Sequence, residues 1–262
     1  MSAIKIAFFD VDGTLVPAGS APKIISALTI AALQKLQANG VKIVIATGRG
    51  PSTVPGFPPL KFDAFLTFNG SYCYDAAGNE LYHHPMPTAV VQAVVANATR
   101  IGRPISAATI DDLVANGSDK DLEDYFAIAE GPVPVRSDFD VVIATQPVFQ
   151  LMAGARPEER AEFVAGVPEA KIAAWWDRAT DIVPADGGKG RGVRAVLAAY
   201  GLAPDQAIAF GDGGNDIEML QVVGLGVAMG NASDEVKAHA NAVCASVQED
   251  GIYYFLSSNG YI

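Results

Sequence analysis

The sequence has few cationic residues, and it lacks long apolar runs. Its 18 Lys and Arg residues face 29 Asp and Glu residues, which gives a formal net charge of -11 at pH 7. Nucleic acid requires clustered positive charge on a protein surface, so we expect no nucleic-acid partner. No apolar run approaches the roughly 20 residues that are needed to span a bilayer, so we expect no membrane segment.

Cysteine is also scarce. The two cysteines, Cys73 and Cys244, are too few for a disulfide framework, so we predict free thiols in a reducing compartment and hence a cytoplasmic protein. The sequence alone also permits one disulfide between them. Half of the 262 residues are hydrophobic, which is enough to bury a full core. This length favours two domains, or one domain with a large insertion.

An acidic motif follows the first apolar segment. Residues 4–9 (IKIAFF) combine β-branched and aromatic side chains and predict a buried strand. Asp10 and Asp12 come next, separated by one residue and followed by a Gly-Thr turn. Residues two apart in an extended chain share a face, so both carboxylates can address one ligand. Their mutual repulsion calls for a cation or a shared proton, although a solvated acidic turn would look the same.

The next segment predicts a helix and a second strand. The helix runs from Ser26, a good N-cap, to about Asn39, and residues 41–46 (VKIVIA) form the strand. A strand–helix–strand unit implies parallel, adjacent strands, so the second strand ends at the same sheet edge as the first. Thr47, Gly48 and Arg49 lie there and offer a hydroxyl, an amide and a guanidinium to an anion. Taken alone, this triplet is more often a plain turn.

Residues 51–60 hold four prolines and predict an irregular connection. A third strand is predicted at 64–68, ending at Asn69 and Gly70, and a hairpin follows over residues 72–82.

Two further motifs lie in the last third of the chain. Lys189 stands among glycines ahead of a helix predicted from about residue 191, where an isolated lysine is usually just solvated. The strand predicted at 207–210 ends in a tight, glycine-rich loop that carries Asp212, Asn215 and Asp216. Acidic oxygen ligands in such a loop suit Mg²⁺ and its waters.

The segment between these two regions has a different character and carries no motif. Its predicted elements are helices near 88–101, 119–129 and 157–164 and strands at 148–153, 172–176 and 180–183. We interpret it as an α+β module that is inserted into the first domain.

The four motifs occur in the order that is found in the haloacid dehalogenase-like (HAD) hydrolase superfamily. They are Asp10-Val11-Asp12-Gly13-Thr14, Thr47-Gly48-Arg49, Lys189-Gly190 and Gly211-Asp212-Gly213-Gly214-Asn215-Asp216. With the insertion and the later Gly230-Asn231-Ala232, the sequence resembles the Cof-type branch with a C2 cap. The resemblance implies an α/β fold: a Rossmann-like parallel-sheet core formed by residues 1–82 and 184–262. Residues 83–183 would form an inserted α+β cap that covers the site and sets substrate specificity.

The resemblance also implies the catalytic roles. Asp10 would be the nucleophile that accepts the phosphoryl group as an aspartyl phosphate. Asp12 would protonate the leaving alcohol and then activate water. Lys189 would neutralise charge on the transferring group.

The binding roles follow in the same way. Thr47, Gly48, Lys189 and Asn215 would hold the phosphoryl oxygens. Mg²⁺ would be bound by Asp10, by Asp12 through its main-chain carbonyl and by Asp212. Asp216 and Asn215 would fix the positions of Lys189 and of the metal-bound waters.

The implied function is a Mg²⁺-dependent phosphatase that acts on small phosphorylated metabolites, with sugar phosphates favoured by family analogy. One alternative is a sugar phosphomutase that uses the same intermediate. Another is a signalling or binding module that uses phosphorylated Asp as a switch. Asp12 argues against the switch, because a switch protonates no leaving alcohol, and so does the insertion of roughly a hundred residues.

Overall fold

The structure is a computed structural model that describes residues 3–20, 22–128 and 131–262. The chain forms two compact units. The first contains Met1–Thr47, Pro55–His83 and Lys189–Ile262, and the second contains Gly48–Val54 and His84–Gly188. The sequence placed the ends of the insertion at residues 83 and 183, whereas the units divide at His84 and Gly188, and the short segment after Thr47 joins the second unit.

The regular elements alternate between strands and helices in most of the chain. The strands are β1 (Ile6–Phe9), β2 (Lys42–Ala46), β3 (Ala64–Thr67), β4 (Tyr72–Asp75), β5 (Glu80–His83), β6 (Ser106–Ala108), β7 (Leu113–Ala115), β8 (Gln150–Ala153), β9 (Ala170–Trp176), β10 (Ala179–Pro184), β11 (Ala207–Gly211), β12 (Leu225–Ala228) and β13 (Ala242–Val243). The helices are α1 (Ala27–Ala38), α2 (Thr88–Arg100), α3 (Lys120–Ile128), α4 (Phe139–Thr145), α5 (Arg160–Phe163), α6 (Lys189–Ala199), α7 (Ile217–Val222), α8 (Asp234–Ala238) and α9 (Gly251–Ser258).

The first unit is built on one eight-stranded sheet in the order β13-β12-β11-β1-β2-β3-β4-β5. The strands from β13 to β3 run parallel, and the hairpin of β4 and β5 adds two antiparallel strands at one edge. The strand order reverses direction at β1, which has β11 on one side and β2 on the other. Ligands in open α/β sheets bind at such a point, beyond the carboxyl ends of the strands.

Alternation along β1 places helices on both faces of this sheet. Phe8 lies in the core cluster that contains residues of α6, α7 and α8. Phe9 points to the other face, where its ring stacks on Phe210 with the centroids 5.3 Å apart, and Phe210 in turn meets Phe255 of α9. Both faces are therefore covered and the strand is fully buried, which matches its continuous apolar sequence.

The second unit has its own five-stranded sheet, in the order β7-β6-β8-β10-β9, with every pair antiparallel. Apolar side chains of α2, α4 and α5 pack on one face of it, against the strand residues Ala107, Leu151 and Ile182. This unit is α+β. The α/β fold class with a parallel-sheet core is confirmed for the chain, whereas β6, β7 and α4 were not predicted from the sequence.

Within the described ranges, the structure contains no helix that is both long enough and apolar enough to cross a bilayer. Cys73 is buried and Cys244 is half-buried, and both are free thiols.

Candidate active site

Three of the four motifs follow neighbouring parallel strands of the first unit. Asp10 follows β1, Thr47 follows β2 and Asp212 follows β11, so all three lie at the carboxyl edge of the sheet. The backbone N–H of Asp10 donates to the carbonyl of Phe210 at 3.1 Å, which ties the end of β1 to the end of β11. The sheet therefore fixes the relative positions of the first and fourth motifs.

Lys189, the first residue of α6, is buried among carboxylates. Its Nζ lies 2.6 Å from Asp10 Oδ1 and 2.6 Å from Asp216 Oδ1. Burial alone would lower the pKa of this lysine, but the adjacent charges of Asp10 and Asp216 outweigh burial and raise the pKa. The ammonium therefore stays charged and presents a fixed positive charge beside Asp10.

Asp10, Asp212 and Asp216 form an acidic cluster in which one carboxylate oxygen of each lies within 4.8 Å of the others. Burial raises the pKa of Asp10 well above its usual value, despite the opposing charge of Lys189, and Asp216 and Asp212 raise it further. Burial and the charge of Asp216 raise the pKa of Asp212 to about 7. One lysine thus does not compensate three carboxylates, and a divalent cation would supply the missing charge.

The chemistry of this cluster fits Mg²⁺ as an implied cofactor. Carboxylate oxygens are the ligands that Mg²⁺ prefers, and it is usually held by only one or two of them together with waters and substrate phosphate. Asp10 and Asp212 would be the residues that hold it.

Asp216 is already engaged by its surroundings. Its Oδ2 accepts hydrogen bonds from the backbone N–H groups of Asp212 (3.0 Å) and Gly213 (2.9 Å), and its Oδ1 faces Lys189. These bonds shape the loop after β11 and orient Lys189, so they fit the supporting role that was predicted for Asp216.

The Asp212 carboxylate is held on both oxygens by Thr14 and Asn231, two motif residues to which the sequence analysis gave no role. Thr14 Oγ1 donates to Oδ1 at 2.8 Å, and Asn231 Nδ2 approaches Oδ2 at 3.3 Å. Asn231 Nδ2 also donates to the Gly13 carbonyl at 2.9 Å. Gly13 has φ +97°, and a Cβ there would overlap the Asp212 carboxylate, so the first motif requires glycine at this position.

Asp12 has a partner that the sequence did not reveal. Lys23 Nζ lies 2.8 Å from Asp12 Oδ1, and the Lys23 side chain is only 8% exposed. Lys23 belongs to the irregular segment before α1, and nothing in the spacing of that segment links it to the first motif.

Two of the predicted phosphate-binding residues meet the turn after β3. The Thr47 carbonyl accepts a hydrogen bond from the Asn69 N–H at 3.0 Å, and Asn215 Nδ2 donates to Asn69 Oδ1 at 2.9 Å. Gly48 begins the segment that belongs to the second unit, where its carbonyl accepts from Gln150 Nε2 at 3.2 Å. The structure thus brings Asp10, Lys189 and the fourth motif together, and the role of Gly48 stays a prediction.

The arrangement has a defined chemical capacity. A buried carboxylate lies next to a permanent cation, inside an acidic cluster that suits a divalent metal ion. Such a group can attack an electrophilic phosphorus while the positive charges attract the phosphoryl oxygens.

Known proteins with similar sequences include hydrolases that are named as phosphatases. A family model described as haloacid dehalogenase-like hydrolase matches residues 7–256. YkrA of Bacillus subtilis (strain 168) is provisionally named a phosphatase. It is 30% identical to the present chain over 263 residues, which cover 98% of each chain. YitU of the same strain, a 5-amino-6-(5-phospho-D-ribitylamino)uracil phosphatase, is 30% identical over 265 residues and 94% of each chain.

A similar fold is present among solved structures. The structure described as the HAD subclass IIB sugar phosphatase BT4131 superposes with a TM-score of 0.88 at 30% sequence identity. The superposition covers 98% of the present chain and 100% of that one.

Proposed function

The chain belongs to the haloacid dehalogenase-like hydrolase family, in its Cof-type branch, and is a phosphatase; we propose that it hydrolyses small phosphate monoesters through a phosphorylated Asp10, with Mg²⁺ as cofactor. The observation that carries this proposal is the position of Asp10. It lies at the switch point of the parallel sheet, 2.6 Å from the buried Lys189 ammonium and within an acidic cluster that suits a divalent cation.

The first chemical step is transfer of the phosphoryl group to Asp10. One Asp10 carboxylate oxygen forms a bond to phosphorus while the bond from phosphorus to the alcohol oxygen breaks. Asp12 gives its proton to the departing alcohol oxygen. Lys189 and the Thr47 hydroxyl attract the equatorial oxygens as charge develops on them.

The second step returns Asp10 to its starting state. Asp12, now ionised, removes a proton from a water molecule, whose oxygen attacks the phosphorus of the aspartyl phosphate. The bond between phosphorus and the Asp10 oxygen breaks, and inorganic phosphate leaves. Asp12 is again protonated and ready for the next alcohol.

Mg²⁺ is assigned to Asp10, Asp212 and the main-chain carbonyl of Asp12. When bound, it offsets the repulsion between the Asp10 carboxylate and the incoming phosphate dianion. Thr14 and Asn231 hold Asp212, and Asp216 holds the loop that carries Asp212. This network supports the metal assignment because metal-ligating carboxylates are commonly fixed by hydrogen bonds from behind.

For the substrate we propose phosphate monoesters of polyhydroxylated compounds, with sugar phosphates first among them. The name of YitU specifies a phosphorylated ribityl chain, and BT4131 is described as a sugar phosphatase. Both names describe a phosphate on a carbon chain that bears several hydroxyl groups. We also propose a cytoplasmic location, which the free thiols of Cys73 and Cys244 support.

The insertion is proposed to be a specificity domain. It contributes a separate sheet with its own apolar core, so it can vary in sequence without disturbing the sheet that carries Asp10.

The direct test is release of inorganic phosphate from a panel of phosphorylated metabolites, in the presence of Mg²⁺ and again after removal of the metal with a chelator. We expect steady multiple turnover on at least one sugar or polyol phosphate, loss of the activity with chelator and recovery with added Mg²⁺. Turnover that isomerises a sugar phosphate without releasing phosphate would identify a phosphomutase instead. A single phosphorylation without turnover would identify a phosphorylation switch.

A further inference from the structure

We propose that Asn69 is a positioning residue for the phosphoryl-binding groups, because its backbone fixes Thr47 and its side chain fixes Asn215. This inference rests on the proposed function, which assigns both of those residues to the phosphoryl group. Neither the motifs nor the comparisons give Asn69 a role.

The first observation is an unusual backbone at the end of β3. Phe68 has φ 49° and Asn69 has φ 52°, and Gly70 continues in the same region with φ 90°. Among the described residues, only three that are not glycine have positive φ, and two of them are this adjacent pair. Side chains clash with the backbone in this region, so the conformation costs free energy and must be held by its surroundings.

The turn is buried, and defined contacts hold it. Phe68 is 2% exposed and Asn69 is 1% exposed. The Ser71 N–H closes the turn on the Phe68 carbonyl at 3.1 Å. A Cβ on Gly192 of α6 would lie 2.8 Å from the Gly70 Cα, so this helix packs directly against the turn. A strained, buried turn at the sheet edge that carries the acidic cluster points to a role in the site.

The second observation is what Asn69 joins. Its N–H donates to the Thr47 carbonyl at 3.0 Å, and its Oδ1 accepts from Asn215 Nδ2 at 2.9 Å. Thr47 follows β2 and Asn215 lies after β11, and β1 with Asp10 stands between those two strands. Asn69 therefore links groups on both sides of the nucleophile.

The hydrogen bond from Asn215 to Asn69 fixes the orientation of the Asn215 side-chain amide. A side-chain amide nitrogen carries two hydrogens, so Asn215 can donate one to Asn69 and direct the other at a phosphoryl oxygen. An unanchored Asn215 would sample several rotamers and would have to be ordered at each turnover. The left-handed turn is needed because it places the Asn69 N–H toward Thr47 and the Asn69 side chain toward Asn215.

The test is a double-mutant cycle between Asn69→Gly and Asn215→Ala, with kcat, KM and thermal unfolding measured for each protein. Glycine adopts the observed φ without strain, so Asn69→Gly removes the anchor and keeps the turn. We expect each single variant to lower kcat/KM about tenfold, the effect of one hydrogen bond that orients a reacting group. In the Asn215→Ala background, Asn69→Gly should add less than about a twofold loss, because the bond is already gone.

Asp250→Gly is a matched control. Asp250 is the third non-glycine residue with positive φ, at 55°, and it accepts a hydrogen bond from Ser26 Oγ. Like Asn69→Gly, Asp250→Gly therefore removes a hydrogen-bonding side chain from a residue with positive φ. Asp250, however, lies outside the phosphoryl-binding groups. We expect Asp250→Gly to lower the unfolding temperature and to leave kcat/KM within about twofold of wild type.

A second variant keeps the test decisive if Asn69→Gly does not fold. Asn69→Ser keeps a neutral side chain with a Cβ, but its oxygen ends one bond short of the Asn69 Oδ1, so it should lower kcat/KM about as much as Asn69→Gly. Full kcat/KM in a folded Asn69→Ser protein, or additive losses in the cycle, would overturn the positioning role. So would an Asn69→Gly protein that unfolds earlier but keeps full kcat/KM.

The activities of the wild type and of the single variants separate the role of Asn69 from the phosphatase function. If wild type releases phosphate and Asn215→Ala slows it, but Asn69→Gly does not, the inference fails and the phosphatase assignment stands. If wild type releases no phosphate from any monoester, the proposed function fails first.

Discussion

At the scale of single residues, two opposing electrostatic effects act on Asp10, the proposed nucleophile. Burial raises the pKa of Asp10 and favours its neutral form, whereas Lys189 at 2.6 Å favours the carboxylate that can attack phosphorus. A bound divalent cation would act in the same direction as Lys189. Under the proposed mechanism, binding of the metal ion would therefore favour the ionised form of Asp10.

The role of Asp12 can be tested through the leaving group. Asp12→Asn cannot donate a carboxylic proton, so we expect the rate on a sugar phosphate to fall by about two to four decades. The rate on an aryl phosphate should fall far less, because a phenolate leaves almost unaided. The measurement is kcat/KM on both substrates for both proteins. Equal losses on the two substrates would show that Asp12 is not the general acid.

Lys23 offers a companion variant for that experiment. Its ammonium lies 2.8 Å from Asp12 Oδ1, so Lys23→Met changes the surroundings of the same carboxylate without removing it. The kcat/KM values of Lys23→Met on the sugar phosphate and on the aryl phosphate show whether the ion pair between Lys23 and Asp12 supports protonation of the leaving alcohol.

Metal binding should depend on pH with a defined sign. The pKa of Asp212 is raised from 3.8 to about 7, so a cation must displace a proton from Asp212 below that pH. We expect the Mg²⁺ or Mn²⁺ affinity, measured by calorimetry, to increase as the pH rises through about 7 and Asp212 loses its proton. Below that pH, the affinity should fall about tenfold per pH unit for each proton displaced. An affinity that is the same at pH 6 and pH 8 would contradict this account of the cluster.

The same shift predicts the stability of the metal-free protein. A carboxyl group with a raised pKa binds its proton more tightly in the folded state. The contribution of Asp212 to the free energy of unfolding therefore falls as the pH rises from about 4 to about 7. Asp212→Asn should remove this contribution, which makes it the control for the stability measurement.

At the scale of secondary-structure elements, α6 determines where Lys189 lies. This helix begins at Lys189 and packs closely on the strand layer at Gly192, where a Cβ would lie 2.6 Å from Leu66 Cδ1. Close packing three residues from the lysine fixes the helix against the end of β3.

Gly192→Ala tests this packing. In an exposed helix the change would stabilise by about 1 kcal/mol, because alanine is the better helix former. Here we expect the opposite: a loss of about 1–3 kcal/mol in the free energy of unfolding from overpacking, and a loss of about tenfold or more in kcat as α6 moves Lys189. Denaturant unfolding and steady-state kinetics measure the two effects.

Arg194→Ala is the control within the same helix, because Arg194 is exposed and its loss leaves the packing face intact. It should keep wild-type stability to within about 0.5 kcal/mol and wild-type activity. If Gly192→Ala were more stable than wild type and fully active, the close approach at Gly192 would not be what positions α6.

Elements with strong local signals could be predicted from the sequence. The apolar strand before Asp10, the Ser26 cap of α1 and the strand before Asp212 all appear where their patterns place them, and Ser26 Oγ accepts from the Thr29 N–H as an N-cap should. The prediction failed at Phe68, which was expected to continue β3 and instead adopts φ 49°. Its propensity is that of a strand residue, but the bonds of the buried turn override it.

Contacts between distant parts of the chain could not be predicted in the same way. Asn231 reaches Gly13 across 218 positions, and Thr14 reaches Asp212 across 198, so no local spacing records either bond. The elements β6, β7 and α4 are three, three and seven residues long. Such short segments carry too little periodicity to be recognised.

At the scale of the whole molecule, the chain consists of two compact units. The first carries the parallel sheet with Asp10, Lys189 and Asp212, and the second is an α+β unit with an independent core. We expect the residues of the first unit to catalyse phosphoryl transfer and the residues of the second unit to determine which substrate is accepted.

Replacing His84–Gly188 with a short Gly-Ser linker tests that division. We expect the shortened protein to keep metal binding and some aryl phosphatase activity, while its selectivity among phosphorylated metabolites falls by about tenfold or more. Circular dichroism and metal binding establish that the remaining unit is folded. A folded, shortened protein that stays as selective as the full chain would place specificity in the loops of the first unit.

Trapping the phosphorylated enzyme tests the proposed role of Asp10 most directly. The protein is mixed with a substrate that carries a labelled phosphoryl group, quenched in acid within one turnover and mapped by mass spectrometry of its peptides. We predict label on Asp10, none on Asp12, and none anywhere in Asp10→Asn, whose turnover should fall by several decades. Full phosphatase activity in Asp10→Asn, or turnover with inversion of configuration at phosphorus and no labelled protein, would contradict an aspartyl phosphate on Asp10.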